Sequence, residues 1–520
     1  MKRKIRSAVV KAKKKLGKDS DSNSEDGLSN ALHGKEHDVS LEDEIPIGVP
    51  FVKSPSLHSL NENPENEDSK TLLWTGKDYV NFIVKDVIFV PDQPEKDNVD
   101  RTKTPRMPWH DVSVMVQGSS ARDAARHFIQ RWNAIKAEKA KHNINYPFLI
   151  PKSYESMERD IPPPHPSLEH LYNANCQVLR SSSNWSAGID EVENSLRQPM
   201  ISSIQDAERF FYIENQFFIT SSSPDYGETI HISLSILDRL KIQASCEFLR
   251  SINQNHEMFR IYVLVPLLPA FEGHLGSSYS GNAIRAILHY NYSSICRGER
   301  SLFKRLERAG INPINYISFC SLRTTEEILG TTPVTELVYI HSKLLIVDDR
   351  VVICGSANIN DRSLLGNRDS EVCLMIEDLE FCELNTERGT SFKSGKYAGS
   401  LRRALMGEHL GLSPSSRELL LDPVSNEFYK DIWLKTASIN SKIFDEIFMV
   451  VPNDQVLTTE ECRKFEEKLP IAELDRFAAR KAIANLRGNV VMLPLQFLEH
   501  EDLRPPALTN EGLVPSVTWT

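Results

Sequence analysis

No C-x-x-C pair occurs in this chain. Its eight cysteines (Cys176, Cys246, Cys296, Cys320, Cys354, Cys373, Cys382 and Cys462) are scattered without regular spacing. That argues against a disulfide framework or a zinc cluster and points to reduced thiols in a cytoplasmic protein. Long apolar runs are absent as well. The longest, Ile261 to Phe271, is interrupted by Pro266 and Pro269 and falls short of the ~20 residues a crossing helix needs. No hydrophobic signal segment opens the chain, so any membrane contact is expected to be peripheral. Positive charge is not in excess: the net charge of −10 argues against nucleic acid as a general partner, local basic patches aside. No internal repeat is visible.

What is present suits a soluble globular protein with some disordered length: 520 residues, 40% apolar and 25% charged, enough for two or three domains. Nine of the first eighteen residues are Lys or Arg, and Ser, Asn, Asp and Glu then dominate to about Lys70. Residues 1–73 read as a solvated, disordered arm whose basic end could touch a membrane surface. Order is expected from Leu72-Leu73-Trp74, with strands over Tyr79–Val90 and a rigid loop over Thr104–Trp109. A helix is expected from Ser120, with Ser120 and Asp123 as a capping box. Ala121, Ala124, Ala125, Phe128, Ile129 and Trp132 share one face of that helix, while Arg122, Arg126 and Arg131 lie off it and read as a polar surface or an anion site.

The proline run Ile161–Pro166 marks a boundary. Beyond it strands and helices alternate: strand Cys176–Arg180, helix Ser195–Ala207, strand Phe210–Phe218, helix Ile230–Asn253, strand Phe259–Val265, helix Asn282–Tyr290 and strand Ile314–Phe319. This order predicts an α/β layer with helices on both faces, becoming more helical after about Thr390.

The chemistry concentrates at His341-Ser342-Lys343-Leu344-Leu345-Ile346-Val347-Asp348, an H-x-K-x-x-x-x-D that occurs once, followed by Gly355-Ser356-Ala357-Asn358. Leu337–Val347 reads as one buried strand that presents His341 and Lys343 on the same face. Asp348-Asp349-Arg350 reads as a turn and Val351–Ile353 as the returning strand. Histidine can act as nucleophile or as general acid and base. Lysine and asparagine can donate to phosphoryl oxygens. Glu371 is the best-placed carboxylate to hold the far ring nitrogen. Asp348, at the turn, reads as structural rather than as a group that touches substrate.

These residues resemble the phospholipase D superfamily, whose mark is the HKD motif followed by G-S/G-x-N. Tyr212–Phe218, Thr104–Trp109, Ala121–Asn133, Val265–Pro269, Trp74–Tyr79 and the closing Trp519-Thr520 look like blocks of the eukaryotic phosphatidylcholine-hydrolysing type that carries N-terminal PX and PH domains. The resemblance implies the phospholipase D fold: two similar α/β lobes around one site, each giving one HKD motif. It implies a phosphohistidine on one histidine, a second histidine that protonates the leaving choline, and release by water or a primary alcohol. His341 matches the second motif, the acid and then base. Lys343, Ser356, Asn358 and Glu371 match phosphate-binding and histidine-orienting residues, and Asp348 completes the motif. No metal or other cofactor is implied. A phosphoinositide activator is, on the basic segment near Arg122, Arg126 and Arg131.

The only other H-x-K, His33-Gly34-Lys35, has neither the spacing nor the surrounding strand. The expected architecture is therefore an arm (1–73), a remnant of a first lobe (74–166), a complete second lobe (167–390) and a mixed C-terminal extension (391–520). This yields one half-site of a phosphatidylcholine-hydrolysing phospholipase D in lipid signalling and vesicle traffic, peripheral on plasma membrane or endomembranes. The expected partners are a phospholipid surface, small GTPases or kinases, and a first-lobe fragment or a second copy. The competing expectation is a catalytically incomplete module that binds acidic lipid or a partner.

Overall fold

Strands buried on both faces need apolar side chains at every position rather than at alternate ones, and Phe210–Glu214, Arg260–Leu264 and Leu344–Val347 are buried throughout. They form the centre of a large mixed sheet. The computed structural model describes residues 104–156, 171–220, 258–271, 281–328, 332–385, 391–413 and 418–506, with isolated positions between and beyond. By internal contacts the chain divides into 1–75 and 76–520, and all described residues fall in the second unit. The arm, the strands expected over Tyr79–Val90 and nearly all of the helix expected over Ile230–Asn253 lie outside the described residues.

In chain order the strands are β1 (Trp109–His110), β2 (Ala174–Ser182), β3 (Glu193–Asn194), β4 (Phe210–Glu214), β5 (Arg260–Leu264), β6 (Ile317–Ile328), β7 (Thr332–Ile340), β8 (Leu344–Val347), β9 (Val351–Gly355), β10 (Glu371–Asp378), the hairpin β11 (Phe381–Asn385) and β12 (Ser391–Gly395), and β13 (Val490–Met492). The main sheet runs β1-β7-β6-β5-β4-β8-β9-β10-β2-β3, with β13 also paired to β6. β4, β5 and β6 are mutually parallel, as are β1 and β7; the other pairs are antiparallel.

Side chains that alternate along the strands feed two separate cores. Phe211, Ile213, Leu345 and Val347 face one, with Met200 and Ile204 of α2 (Arg197–Gln205) and Ile284, Leu288 and Tyr292 of α3 (Asn282–Ile295). Tyr212, Leu344 and Ile346 face the other, with Ala398, Leu405 and Met406 of α4 (Lys396–His409) and the buried Phe428, Tyr429 and Trp433. The helix α/sheet/helix layering expected from the sequence is present. The segment after 390 is mostly helical, yet it returns β13 to the sheet beside β6.

Two local expectations change. The stretch Leu337–Val347 is two strands: β7 pairs with β6, and β8 pairs with β4 and β9. His341, Ser342 and Lys343 occupy the break where the chain changes neighbours, and the apolar residues on both sides conceal it in the sequence. The helix α1 (Ser119–Lys139) forms as expected, but without a capping box. The Ser120 hydroxyl instead donates to the Cys176 carbonyl (2.7 Å) on β2, and Asp123 accepts the Tyr154 hydroxyl. A serine pressed against a strand finds a backbone acceptor there in place of its own helix. The apolar face of this helix stays half-open, with Phe128 58% exposed.

Candidate active site

The C-terminal ends of β4, β7 and β9 and the N-terminal ends of β8 and β10 come together at one end of the sheet, because Glu214 pairs with Leu344, Leu344 with Cys354 and Cys373 with Gly355. His341 follows β7 directly. Its backbone N–H donates to the His110 carbonyl (2.8 Å), which also receives Ser342 N–H (3.3 Å). Its Nδ1–H donates to Asp111 Oδ2 (2.8 Å). A carboxylate can only accept, so Nδ1 carries the proton and Nε2 is left as the reactive atom. The imidazole is 35% exposed and Asp111 51% exposed, so the pair is open to a substrate. The rings of Trp109 and Tyr339 stand 5.0 and 6.4 Å from that of His341.

Sequence reasoning assigned the far nitrogen of His341 to Glu371; the structure assigns it to Asp111. Glu371 heads β10 and accepts from the Ser356 hydroxyl (2.6 Å) and the Ser363 hydroxyl (2.7 Å). Burial raises its pKa, while those two donors pull the other way. Asp111 was missed because the block read from the sequence stops at Trp109, two residues short of it, and because its partner lies 230 residues away. The parallel pairing of β1 with β7 (Trp109 opposite Tyr339, His110 opposite Ile340) brings them together.

Lys343 turns inward, 7% exposed. Its ammonium donates to Gln216 Oε1 (3.0 Å) and to the His341 carbonyl. Burial lowers its pKa to about 8, with the charges of Asp111 and Glu371 opposing the drop. Gly355 is required where it stands, since a Cβ would collide with the Val372 carbonyl and the Cys373 backbone. That close approach lets Ser356 N–H pair with the Val372 carbonyl (3.0 Å) and aims Ser356 at Glu371. Asn358 Oδ1 is buried with no hydrogen-bond partner among the described residues, an acceptor left for something outside them.

Asp348 lies at the opposite end of β8 from Lys343. Its carboxylate accepts the backbone N–H groups of Glu208 (2.7 Å), Arg209 (2.9 Å) and Phe210 (2.9 Å) and so fixes the entry to β4. Burial pushes this carboxyl up, and the three donors draw it back. It belongs to the scaffold, as its turn position suggests, and does not join His341. Arg122 and Arg126 are tied to the Ser153 and Lys152 carbonyls, Arg126 lies over the Tyr154 ring, and Arg131 donates to Ser370 Oγ (2.7 Å). They brace residues 152–154 and the loop before β10.

Behind the site, Glu214 is fully buried. It accepts from His110 Nε2 (3.0 Å), His409 Nε2 (2.9 Å) and the Tyr212 hydroxyl (2.5 Å). Burial alone would raise its pKa, but the two imidazole donors hold it well below the ordinary carboxylate range. Burial works against charge on His110, but Glu214 outweighs it and raises that pKa. The ligand atoms of His110, Glu214 and His409 lie within 4.8 Å of one another, a donor set that zinc would accept. Each is already satisfied by hydrogen bonds within the cluster.

An α/β sheet carrying a carboxylate-oriented imidazole, a buried lysine and a serine–glutamate pair at one end has the parts of a protein that handles phosphoryl groups. The phospholipase D family model matches residues 93–337 and 333–458, and the chain belongs to the phospholipase D family. It is similar to phospholipase D1 of Homo sapiens, 41% identical over 498 residues, covering 94% of this chain and 45% of that protein. Phospholipase D2 of Bos taurus is 44% identical over 95% of this chain and 50% of its own length. Phospholipase D zeta 2 of Arabidopsis thaliana is 32% identical over 84% and 50%. The chain thus spans about half the length of these relatives. Among the described residues no helix is long and apolar enough to cross a membrane.

Proposed function

We propose that this chain supplies one half-site of a phospholipase D that hydrolyses phosphatidylcholine to phosphatidate and choline. The observation that carries the reading is the His341 Nδ1–Asp111 hydrogen bond, with Lys343 beside it on the same break in the sheet. Asp111 orients the ring through Nδ1–H and leaves Nε2 to face the substrate. Protonated at Nε2, His341 gives that proton to the choline oxygen as its bond to phosphorus breaks. The phosphoryl group passes to a second imidazole, which an H-x-K-x-x-x-x-D from elsewhere would provide, since this sequence contains the motif once. Neutral His341 then takes a proton from water or a primary alcohol as it attacks the phosphohistidine, which restores the starting state.

Lys343 and Asn358 face the phosphoryl oxygens in this reading, and Ser356 with Glu371 holds the neighbouring wall. The ring of Trp109, 57% exposed beside His341, offers the aromatic face that favours a quaternary ammonium group. Phosphoinositide activation through the face carrying Arg122, Arg126 and Arg131, and placement on a cellular membrane, belong to the same proposal. So do regulatory GTPases or kinases.

The single occurrence of the motif also favours a second reading, a module that binds acidic lipid or a partner without turnover. The test is choline release and phosphatidylethanol formation by the purified chain, alone and with a polypeptide bearing a first motif. Activity that needs the added polypeptide and disappears in His341→Ala supports the half-site. Vesicle binding without turnover in either case supports the module.

A further inference from the structure

Asp111 has little of its own to hold it in place. It is half exposed, it follows a two-residue edge strand, and among the described residues its other hydrogen bond is with its neighbour Val112 N–H (3.1 Å). An orienting carboxylate is effective only if it is itself fixed. The rigidity must come from His110.

We propose that His110 is the positioning residue of the His341 half-site: anchored on buried Glu214, with His409 behind, it fixes the backbone from which Asp111 reaches His341. The inference rests on the reading of His341 and Asp111 as the acid–base pair. Three connections meet in His110. Its carbonyl accepts the backbone N–H groups of His341 and Ser342 and the Ser342 hydroxyl (3.3 Å). Its Nε2–H donates to Glu214, which is 0% exposed at the end of β4. Its ring meets that of His409, the last residue of α4, edge-on at 5.1 Å.

Rotation of the edge strand about its pairing with β7 would break the Glu214 bond, and that costs most where the carboxylate is buried and charged. The same strand end carries Gln216, which receives Lys343. One buried carboxylate thereby stabilises the places of both groups that flank the reacting phosphorus. His110 touches neither His341's ring nor Lys343, so its effect on chemistry passes through Asp111.

The test uses the full chain and a readout independent of turnover. Diethyl pyrocarbonate transfers an ethoxycarbonyl group to an unprotonated ring nitrogen, which in His341 is Nε2 as long as Asp111 holds Nδ1–H. The rate is read at the His341 peptide by mass spectrometry, with unfolding curves as a check on fold. In the high-pH limit, where the imidazole is unprotonated, His110→Phe is expected to slow the reaction at least about threefold, as Asp111→Asn does, because Nε2 loses the nucleophilicity that the Nδ1–H bond to Asp111 lends it and part of the ring takes the other tautomer. His110→Gln, whose amide can reach Glu214, is expected to recover most of the rate. A folded His110→Phe at the wild-type rate, with Asp111→Asn slowed, overturns the proposal. Asp111→Asn at the wild-type rate overturns the underlying reading of the pair. Should His110→Phe not fold, His110→Asn takes its place, polar but too short for Glu214, with the same outcomes on either side.

Discussion

Replacing Asp348 by alanine removes the acceptor for three backbone N–H groups, those of Glu208, Arg209 and Phe210, at the point where the chain enters β4. Hydrogen bonds to a charged acceptor contribute about 1.5–3 kcal/mol each. The first of the three is at the surface, where water can replace it, and relief of the buried charge offsets part of the rest. The net loss is expected at about 2–4 kcal/mol of stability. Asp348→Asn keeps one oxygen for Arg209 and Phe210 and turns an amide toward Glu208 N–H, for about 1–2 kcal/mol. Urea unfolding followed by circular dichroism reads both values, and the His341 modification rate of the folded fraction should stay at the wild-type level. An alanine variant as stable as wild type whose His341 reactivity is lost would refute the reasoning and place Asp348 in the chemistry.

Other outcomes follow from the same geometry. Asp111→Asn should lower turnover of the complete site about 10–100-fold with a smaller change in KM, the usual loss when an orienting carboxylate is removed. Binding of dimethyl phosphate, which does not titrate near neutrality, should weaken as pH rises through about 8, where Lys343 loses its proton; calorimetry on Lys343→Met should show no such step. Asp349, fully buried, holds Arg402 through both carboxylate oxygens (2.6 and 2.8 Å), so Asp349→Ala strands a buried guanidinium and should cost about 3–5 kcal/mol by denaturant titration.

The layered sheet was legible because its central strands are apolar at nearly every position, Glu214 and Arg260 at their ends excepted, and the turn because the short polar pair Asp348-Asp349 tolerates the positive φ (50° and 51°) found there. His341, Lys343, Ser356 and Glu371 were legible as a motif, and strand pairing puts all four at one end of the sheet. The role of Glu371 was misread because spacing along a chain says nothing of which carboxylate an edge strand brings alongside. Asp111 and the cluster of His110, Glu214 and His409 depend on pairing between segments 104 to 230 residues apart, which no local pattern records. The break at His341-Ser342-Lys343 escaped notice because a change of sheet partner leaves the apolar pattern intact.

The claim that His341 protonates the leaving alcohol and then activates water is tested most directly by comparing two leaving groups in the catalytically complete assembly. Phosphatidylcholine needs a proton on departing choline; phosphatidyl-p-nitrophenol does not. In His341→Ala, choline release should fall on the order of 10²–10⁴-fold. Nitrophenolate should still appear as one rapid equivalent and then stop, because the phosphohistidine has lost the base that directs water to it. Equal loss for both substrates would contradict the acid role, and nitrophenolate release that continues past one equivalent at the wild-type rate would place the base elsewhere.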